Sequence, residues 1–168
     1  ADEIYEHINV TEKHISIGKI PSMKDRTITV NGVSKGFAMT GWRVGFIGAP
    51  LWIAKACNKI QGQVTSATCA VAQKAAERAM LADPRSTTQE MKDTFLKRRD
   101  MILAELNNIE GVKCNVPQGA FYVFPDVSYY FGKSDGTTTI NNSDDFCMYL
   151  LNKAHIALVA GDSFGNPE

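Results

Sequence analysis

Ser34-Lys35-Gly36-Phe37-Ala38-Met39-Thr40-Gly41-Trp42-Arg43 is the stretch whose reading decides the fold and the chemistry of this chain. A lysine stands among small residues, and an arginine follows it beyond a Thr-Gly-Trp turn. A lysine that only keeps a surface soluble has no need of such surroundings. A lysine that condenses with a carbonyl does, because its amine must approach a bulky partner closely and shed its proton near neutral pH. Burial and a neighbouring cation both lower an ammonium pKa. Arg43 offers that cation, and its guanidinium is a planar anchor for a phosphate dianion.

Working outward, residues 1–9 place Asp2, Tyr5 and His7 around Ile4 and Ile8. This suits the C-terminal end of a strand running into a loop, where functional side chains of open α/β sheets gather. Residues 11–25 read as a polar connecting loop with at most one helical turn. Thr27-Ile28-Thr29-Val30 is a β-branched strand closed by an Asn31-Gly32 turn, so Lys35 falls just past a strand end. Arg43 to Gly48 reads as a second strand, its glycines marking close backbone approach. Pro50 opens a helix that Gly62 breaks. Thr65 or Ser66 caps an alanine-rich helix that Asp83-Pro84 stops. Thr87-x-x-Glu90 is a capping box at the head of a long amphipathic helix carrying Met91, Phe95, Ile102 and Leu106, which ends before Gly111. Beyond it Val112, Cys114 and Val116 alternate as a strand does, and Ala120 to Phe124 forms another after the Pro117-Gln118-Gly119 turn. Residues 128–142 read as an exposed irregular loop, Ser143 caps a helix, and Ile156 to Val159 is a last strand. The expected class is α/β, with residues 1–85 the late part of a sheet domain. Residues 86–168 supply a connecting helix and a smaller α+β unit.

Composition narrows the partners. The 168 residues are 44% hydrophobic and 21% charged, with eighteen basic residues against eighteen acidic ones. A chain of zero formal charge has no basic face for nucleic acid or an anionic membrane, so the ligand is expected to be small. Cys57, Cys69, Cys114 and Cys147 form no CxxC pair and have no histidines at metal spacing, which predicts buried reduced thiols and no metal site. No apolar run approaches the roughly 18 residues of a membrane span, and no signal peptide is visible. Both ends read as cuts, since Ala1 replaces an initiator methionine and the chain stops in a turn.

Asp2 and Tyr5 offer a carboxylate and a phenol to one bound ring. With an amine and a guanidinium, they complete what pyridoxal 5′-phosphate chemistry asks of a protein. Singly, each has an ordinary structural explanation as a surface charge, a loop acid, a core tyrosine or an exposed ion pair. Together, Asp2-Glu3-Ile4-Tyr5 and Ser34 to Gly45 resemble the class I/II aminotransferases, which are fold-type I pyridoxal-phosphate enzymes of the aspartate aminotransferase superfamily. The likeness extends through Pro117 to Tyr122 and Gly161-Asp162-Ser163-Phe164-Gly165, and is nearest the prokaryotic-type aspartate aminotransferases.

The resemblance implies that Lys35 is the catalytic residue, joined to the cofactor aldehyde as a Schiff base and later the base that moves the substrate proton. It implies that Asp2 holds the pyridinium proton, Tyr5 the ring oxygen and Arg43 the phosphate. Relatives often carry a serine phosphate ligand three residues before the lysine; that position is Gly32 here, and Ser34 is the substitute candidate. Gly119 and Phe164 match positions on the substrate side. The resemblance further implies an α-amino acid and a 2-oxo acid as substrates, aspartate foremost, and a cytoplasmic homodimer with Gln61 to Ser66 as a contact region. Family members are about twice this length. The early cofactor-binding half and the arginine that grips the substrate carboxylate, shortly beyond Glu168, are expected outside this sequence, leaving the piece inactive alone. Carbon–sulfur lyases and aminocyclopropane-carboxylate synthases share the same residues, and a non-catalytic interaction fragment is the alternative of another class.

Overall fold

The β-branched and small residues of β1 (Thr29–Gly32) pair antiparallel with β2 (Gly45–Gly48), placing Thr29 opposite Gly48 and Gly32 opposite Gly45. The structure is a computed structural model that describes residues 1–10, 13–82 and 88–165. It divides into one unit of Ala1–Lys97 with Gln118–Phe121 and a second of Arg98–Pro117 with Tyr122–Glu168. The domain boundary expected at 85/86 lies outside the described residues, as do Asp83-Pro84 and the Thr87 of the capping box.

In the first unit, Asn31 and Gly32 belong to the strand and not to a turn. The Asn31 side-chain carbonyl accepts the Gly32 N–H at 2.7 Å, and the Val33 N–H reaches the Val44 carbonyl at 3.3 Å, so pairing continues past the Asn-Gly pair. The long connection between β1 and β2 therefore carries Lys35 near its start and Arg43 near its end. Arg43 itself is not in a strand. It follows the helical turn Thr40–Trp42 with left-handed φ 55 and ψ 49. The strand expected at the N-terminus is reduced to one parallel bridge, Asp2 with Val30. The Val30 N–H donates to the Ala1 carbonyl, and the Glu3 N–H to the Val30 carbonyl, both at 2.8 Å. A turn follows, in which the Ile8 N–H donates to the Tyr5 carbonyl at 2.8 Å. Ile8 and Val33 are fully buried.

The connecting segment, expected to hold at most one helical turn, holds two over its described residues, at Ile17–Lys19 and Pro21–Arg26. Helix α1 (Leu51–Val64) takes Pro50 as its N-cap and runs through Gly62. An interior glycine costs only about 1 kcal/mol relative to alanine, too little to end a formed helix. Helix α2 (Ala70–Met80) begins after Cys69, not at Thr65 or Ser66, and buries Ala72 and Ala76, one turn apart on the same face. Helix α3 (Gln89–Asn107) contributes residues to both units. The cysteines are free, but Cys57 and Cys69 are exposed and Cys114 and Cys147 only half-buried, so the expectation of buried thiols fails.

In the second unit, β3 (Lys113–Cys114) and β4 (Pro125–Asp126) make a two-residue antiparallel pair. The strands expected over 112–116, 120–124 and 156–159 shrink to this pair and to an isolated bridge of Gly119 with Asn9 in the first unit. The 128–142 segment is more ordered than predicted. It holds a helical turn at Ser128–Tyr130, a bridge of Ser134 with Thr139, and the buried Ile140. Helix α4 (Ser143–Ala154) is capped by Asn142, whose side chain accepts the Asp145 N–H at 2.8 Å; Ser143 is its first residue, not its cap. Among the described residues no helix is long and apolar enough to cross a membrane.

Candidate active site

Lys35 is half-buried, and its Nζ lies 5.5 Å from the centroid of the Phe121 ring, an arrangement that attracts the ammonium to the ring face. Among the described residues no ion pair or hydrogen bond holds that amine. Tyr5 meets the same ring edge-on at 5.3 Å, and Phe95 stacks on it at 5.0 Å with 23° between planes. Phe121 is thus the hub that brings Tyr5 and Lys35 together. Sequence reasoning placed it in a family-like segment without assigning it a site role; its aromatic type after Gly119-Ala120 was the available signal. Ala120, with φ 58, turns the chain there, and its N–H donates to the Ile8 carbonyl at 2.8 Å.

Asp2 is exposed beside β1, with one carboxylate oxygen accepting the Ile4 N–H at 3.2 Å. Arg43 is exposed, and one guanidinium nitrogen donates to the Thr40 carbonyl at 2.8 Å, which leaves further N–H groups for an anion. Ser34 is half-buried beside Lys35. Gly119 lies against the backbone of Ile8, whose carbonyl would be 3.3 Å from an added Cβ. Phe164 belongs to the second unit, is 69% exposed, and packs edge-on with Phe124 at 6.0 Å. Asp2, Tyr5, Ser34, Lys35, Arg43 and Gly119 all belong to the first unit, in which Tyr5 and Lys35 meet at Phe121, and Phe164 belongs to the second.

Behind Asp2 and Tyr5 lies a buried acid. Glu3 accepts the Ser16 hydroxyl at 2.8 Å and stands 3.1 Å from His14 Nε2, a contact poorly aligned for a hydrogen bond. Burial pushes the Glu3 carboxyl up. The Ser16 hydroxyl, the His14 imidazole and the Ile17 N–H outweigh it, and the net shift is downward. Glu3, Glu6 and His14 bring ligand atoms within 4.8 Å of one another, a proximity not foreseen from the sequence. One oxygen of Glu3 is already occupied by Ser16 and one of Glu6 by Asn31, so their polar partners come from the protein itself.

The donor set fits pyridoxal phosphate in kind: an amine for the aldehyde, a phenol for the ring oxygen, a carboxylate for the ring nitrogen and a guanidinium for the phosphate. The comparisons agree. The model of the family "Aminotransferase class I and II" matches residues 1–168. The chain is 49% identical over 170 residues to a bifunctional aspartate aminotransferase and glutamate/aspartate-prephenate aminotransferase of Petunia hybrida, covering 99% of this chain and 36% of that protein. It is 45% identical over 172 residues to an aspartate aminotransferase of Pinus pinaster, covering 100% of this chain and 35% of that protein. The crystal structure of the aspartate aminotransferase from Rhizobium meliloti superposes with a TM-score of 0.93 at 39% identity, over 99% of this chain and 42% of that one. The chain thus spans well under half the length of these relatives, whose fold is that of fold-type I aminotransferases. This chain belongs to the class I and II aminotransferases, a family built on pyridoxal 5′-phosphate.

Proposed function

We propose that the full-length protein is a transaminase that moves an amino group from an α-amino acid, aspartate foremost, to a 2-oxo acid. The observation that carries this reading is the half-buried Lys35 amine, held over Phe121 beside the Tyr5 phenol with no acid to neutralise it among the described residues. Bound pyridoxal phosphate would supply the electron sink for the electron pair left on the substrate Cα. With the cofactor bound, Lys35 would hold its aldehyde carbon and, once freed by the substrate amine, would be the group that takes the proton from the substrate Cα. Asp2 would hold the protonated ring nitrogen, Tyr5 would donate to the ring oxygen, and Arg43 with Ser34 would hold the phosphate. Of the two substrate-side candidates, Gly119 belongs to the same unit as Lys35 and lines the substrate side.

Residues 1–85 are read as the late part of the cofactor-binding large domain, and residues 86–168 as its connecting helix and part of the small domain. A cytoplasmic homodimer is the assembly favoured by the family likeness. Helix α1 supports a further interface, since none of its residues is buried and Leu51, Trp52, Ile60 and Val64 are all exposed apolar groups.

The test is Lys35→Ala in the full-length protein, followed by the cofactor absorbance band and by 2-oxo acid production from aspartate and 2-oxoglutarate. The band is expected to vanish, and turnover to fall by about 10²–10⁴-fold or more, the scale of a lost proton-transfer group. Full turnover by Lys35→Ala would refute the assignment. Pyruvate and ammonia from a sulfur amino acid would identify a lyase instead.

A further inference from the structure

The loop carrying Lys35 is braced by a residue to which the proposed reaction gives no role. Gly36, buried and directly after Lys35, lies so close to His7 that an added Cβ would be 2.5 Å from His7 Cδ2 and 3.1 Å from its Cβ and Cγ. The same imidazole meets the Phe37 ring edge-on at 5.1 Å and 70°. Its Nε2 lies 3.4 Å from Glu6 Oε1, which in turn accepts a 2.8 Å hydrogen bond from the buried Asn31 amide of β1. His7 is in the same turn as Tyr5, closed by the bond from the Ile8 N–H to the Tyr5 carbonyl. A continuous path of contacts thus runs from β1 through Asn31, Glu6 and His7 to the backbone flanking Lys35.

We propose that His7 is a positioning residue for Lys35: its ring, oriented by Glu6 and Asn31, wedges against Gly36 and Phe37 and fixes the lysine backbone relative to the Tyr5 turn. This rests on the reading of Lys35 as the cofactor lysine. The need for such a wedge is physical. A lysine amine rides on a flexible four-carbon stem, and reacting groups need placement within about 0.5 Å. The ring contact with Phe121 steadies the ammonium end only. The backbone end lies in a long connection containing Gly36, Ala38 and Gly41, held locally by the Ala38 N–H to the Lys35 carbonyl and the Met39 N–H to the Val33 carbonyl. A ring filling the space against Gly36 denies that backbone a shift toward the turn.

The test compares the native full-length protein with His7→Ala, His7→Phe, Gly36→Ala and the double variant His7→Ala/Gly36→Ala. Two readouts are taken besides turnover: the acylation rate of Lys35 in cofactor-free protein, followed by mass spectrometry at one pH, and the urea midpoint. His7→Ala is expected to change the Lys35 acylation rate and to lower kcat by about tenfold with KM nearly constant, as loss of alignment does. His7→Phe keeps the wedge and is expected to stay within about threefold of native. Gly36→Ala should be impaired alone and partly restored in the double variant, because His7 Cδ2 and Cγ, two of the three atoms it would strike, are gone while the Cβ at 3.1 Å remains. The proposal is overturned by native acylation and kcat in His7→Ala, or by strictly additive effects of the two substitutions. A general loss of stability that lowers the urea midpoint in His7→Ala and leaves its acylation rate native would also overturn it, in favour of a purely structural role. If Lys35→Ala keeps the cofactor band, the parent reading fails; if it loses the band while His7→Ala behaves as native, only the wedge fails.

Discussion

Gly32 faces Gly45 across β1 and β2, and an added Cβ would stand 2.8 Å from the Val44 carbonyl oxygen, 3.2 Å from Gly45 Cα and 3.4 Å from Ile4 Cδ1. The first two neighbours are backbone, so no side-chain rotation relieves the contact and the strands themselves must part. Gly32→Ala is therefore an overpacking change, costing about 1–3 kcal/mol, against a gain of about 0.4–1 kcal/mol from a stiffer unfolded chain. The φ of Gly32 lies outside the left-handed region, so torsional strain adds nothing. Rigid backbone neighbours put the cost in the upper half of its range, so the net expectation is a loss of about 1–2.6 kcal/mol, seen in the full-length protein as a lower urea midpoint at unchanged slope. Gly45→Ala is the internal control, since its Cβ would meet only the Asn31 carbonyl at 3.4 Å, an ordinary contact. Gly32→Ser carries a further point. Relatives often place a phosphate-binding serine there, yet its Cβ meets the same carbonyl here, so the hydroxyl is expected to bring instability and no tighter cofactor binding. An unchanged or higher midpoint for Gly32→Ala, or equal losses for Gly32→Ala and Gly45→Ala, would refute the reasoning.

Two further outcomes follow from close contacts. Ser16→Ala removes a hydrogen bond to the buried Glu3 carboxylate, at a cost of about 1.5–3 kcal/mol near neutral pH. Because the folded Glu3 pKa is depressed below 4.5, its contribution is present above that value and lost as pH falls through the folded one. The difference between variant and native in urea unfolding should accordingly shrink in acid, and an equal difference at pH 3 and pH 7 would show that the ionised acceptor is not what matters. In the second unit, Gly111 has φ 79, and its added Cβ would be 2.0 Å from Tyr129 Cδ1. Gly111→Ala must displace Tyr129 from its 2.7 Å hydrogen bond to Glu110 and is expected to cost about 2–4 kcal/mol, checked by thermal unfolding.

The parts of the candidate site were legible because their chemistry restricts residue type wherever they occur. Asp2, Tyr5, Lys35 and Arg43 stand out by what an amine, a phenol, a carboxylate and a guanidinium can do together. Element boundaries were less legible, since they depend on partners that no local pattern names. Asn31-Gly32 reads as a turn until Gly45 is opposite it. Gly62 reads as a helix stop, although helix interiors tolerate its modest cost. The Ala120 to Phe124 stretch has every strand propensity, yet its chain meets Ile8 and Asn9 through a single bridge and then leaves the first unit. Propensity describes what a segment can do; pairing decides what it does.

The small residues around Lys35 read as room for the close approach of a bulky cofactor. At two of them the approaching group is the protein itself: the Val44 carbonyl at Gly32 and the His7 ring at Gly36. Gly41, by contrast, would carry a Cβ with nothing within 4 Å, so packing among the described residues does not require a glycine there. A glycine in a reactive loop thus has two separable uses, and only the long-range contact tells them apart. His7 is near Lys35 because the Tyr5 turn is bonded both to β1 and to residues 118–120, a closure of more than a hundred residues between Ile8 and Ala120. Such loops are cheap to lengthen in entropy, at about 0.6 kcal/mol per doubling. Sequence separation therefore carries almost no information about which distant side chain will pack against the backbone beside Lys35.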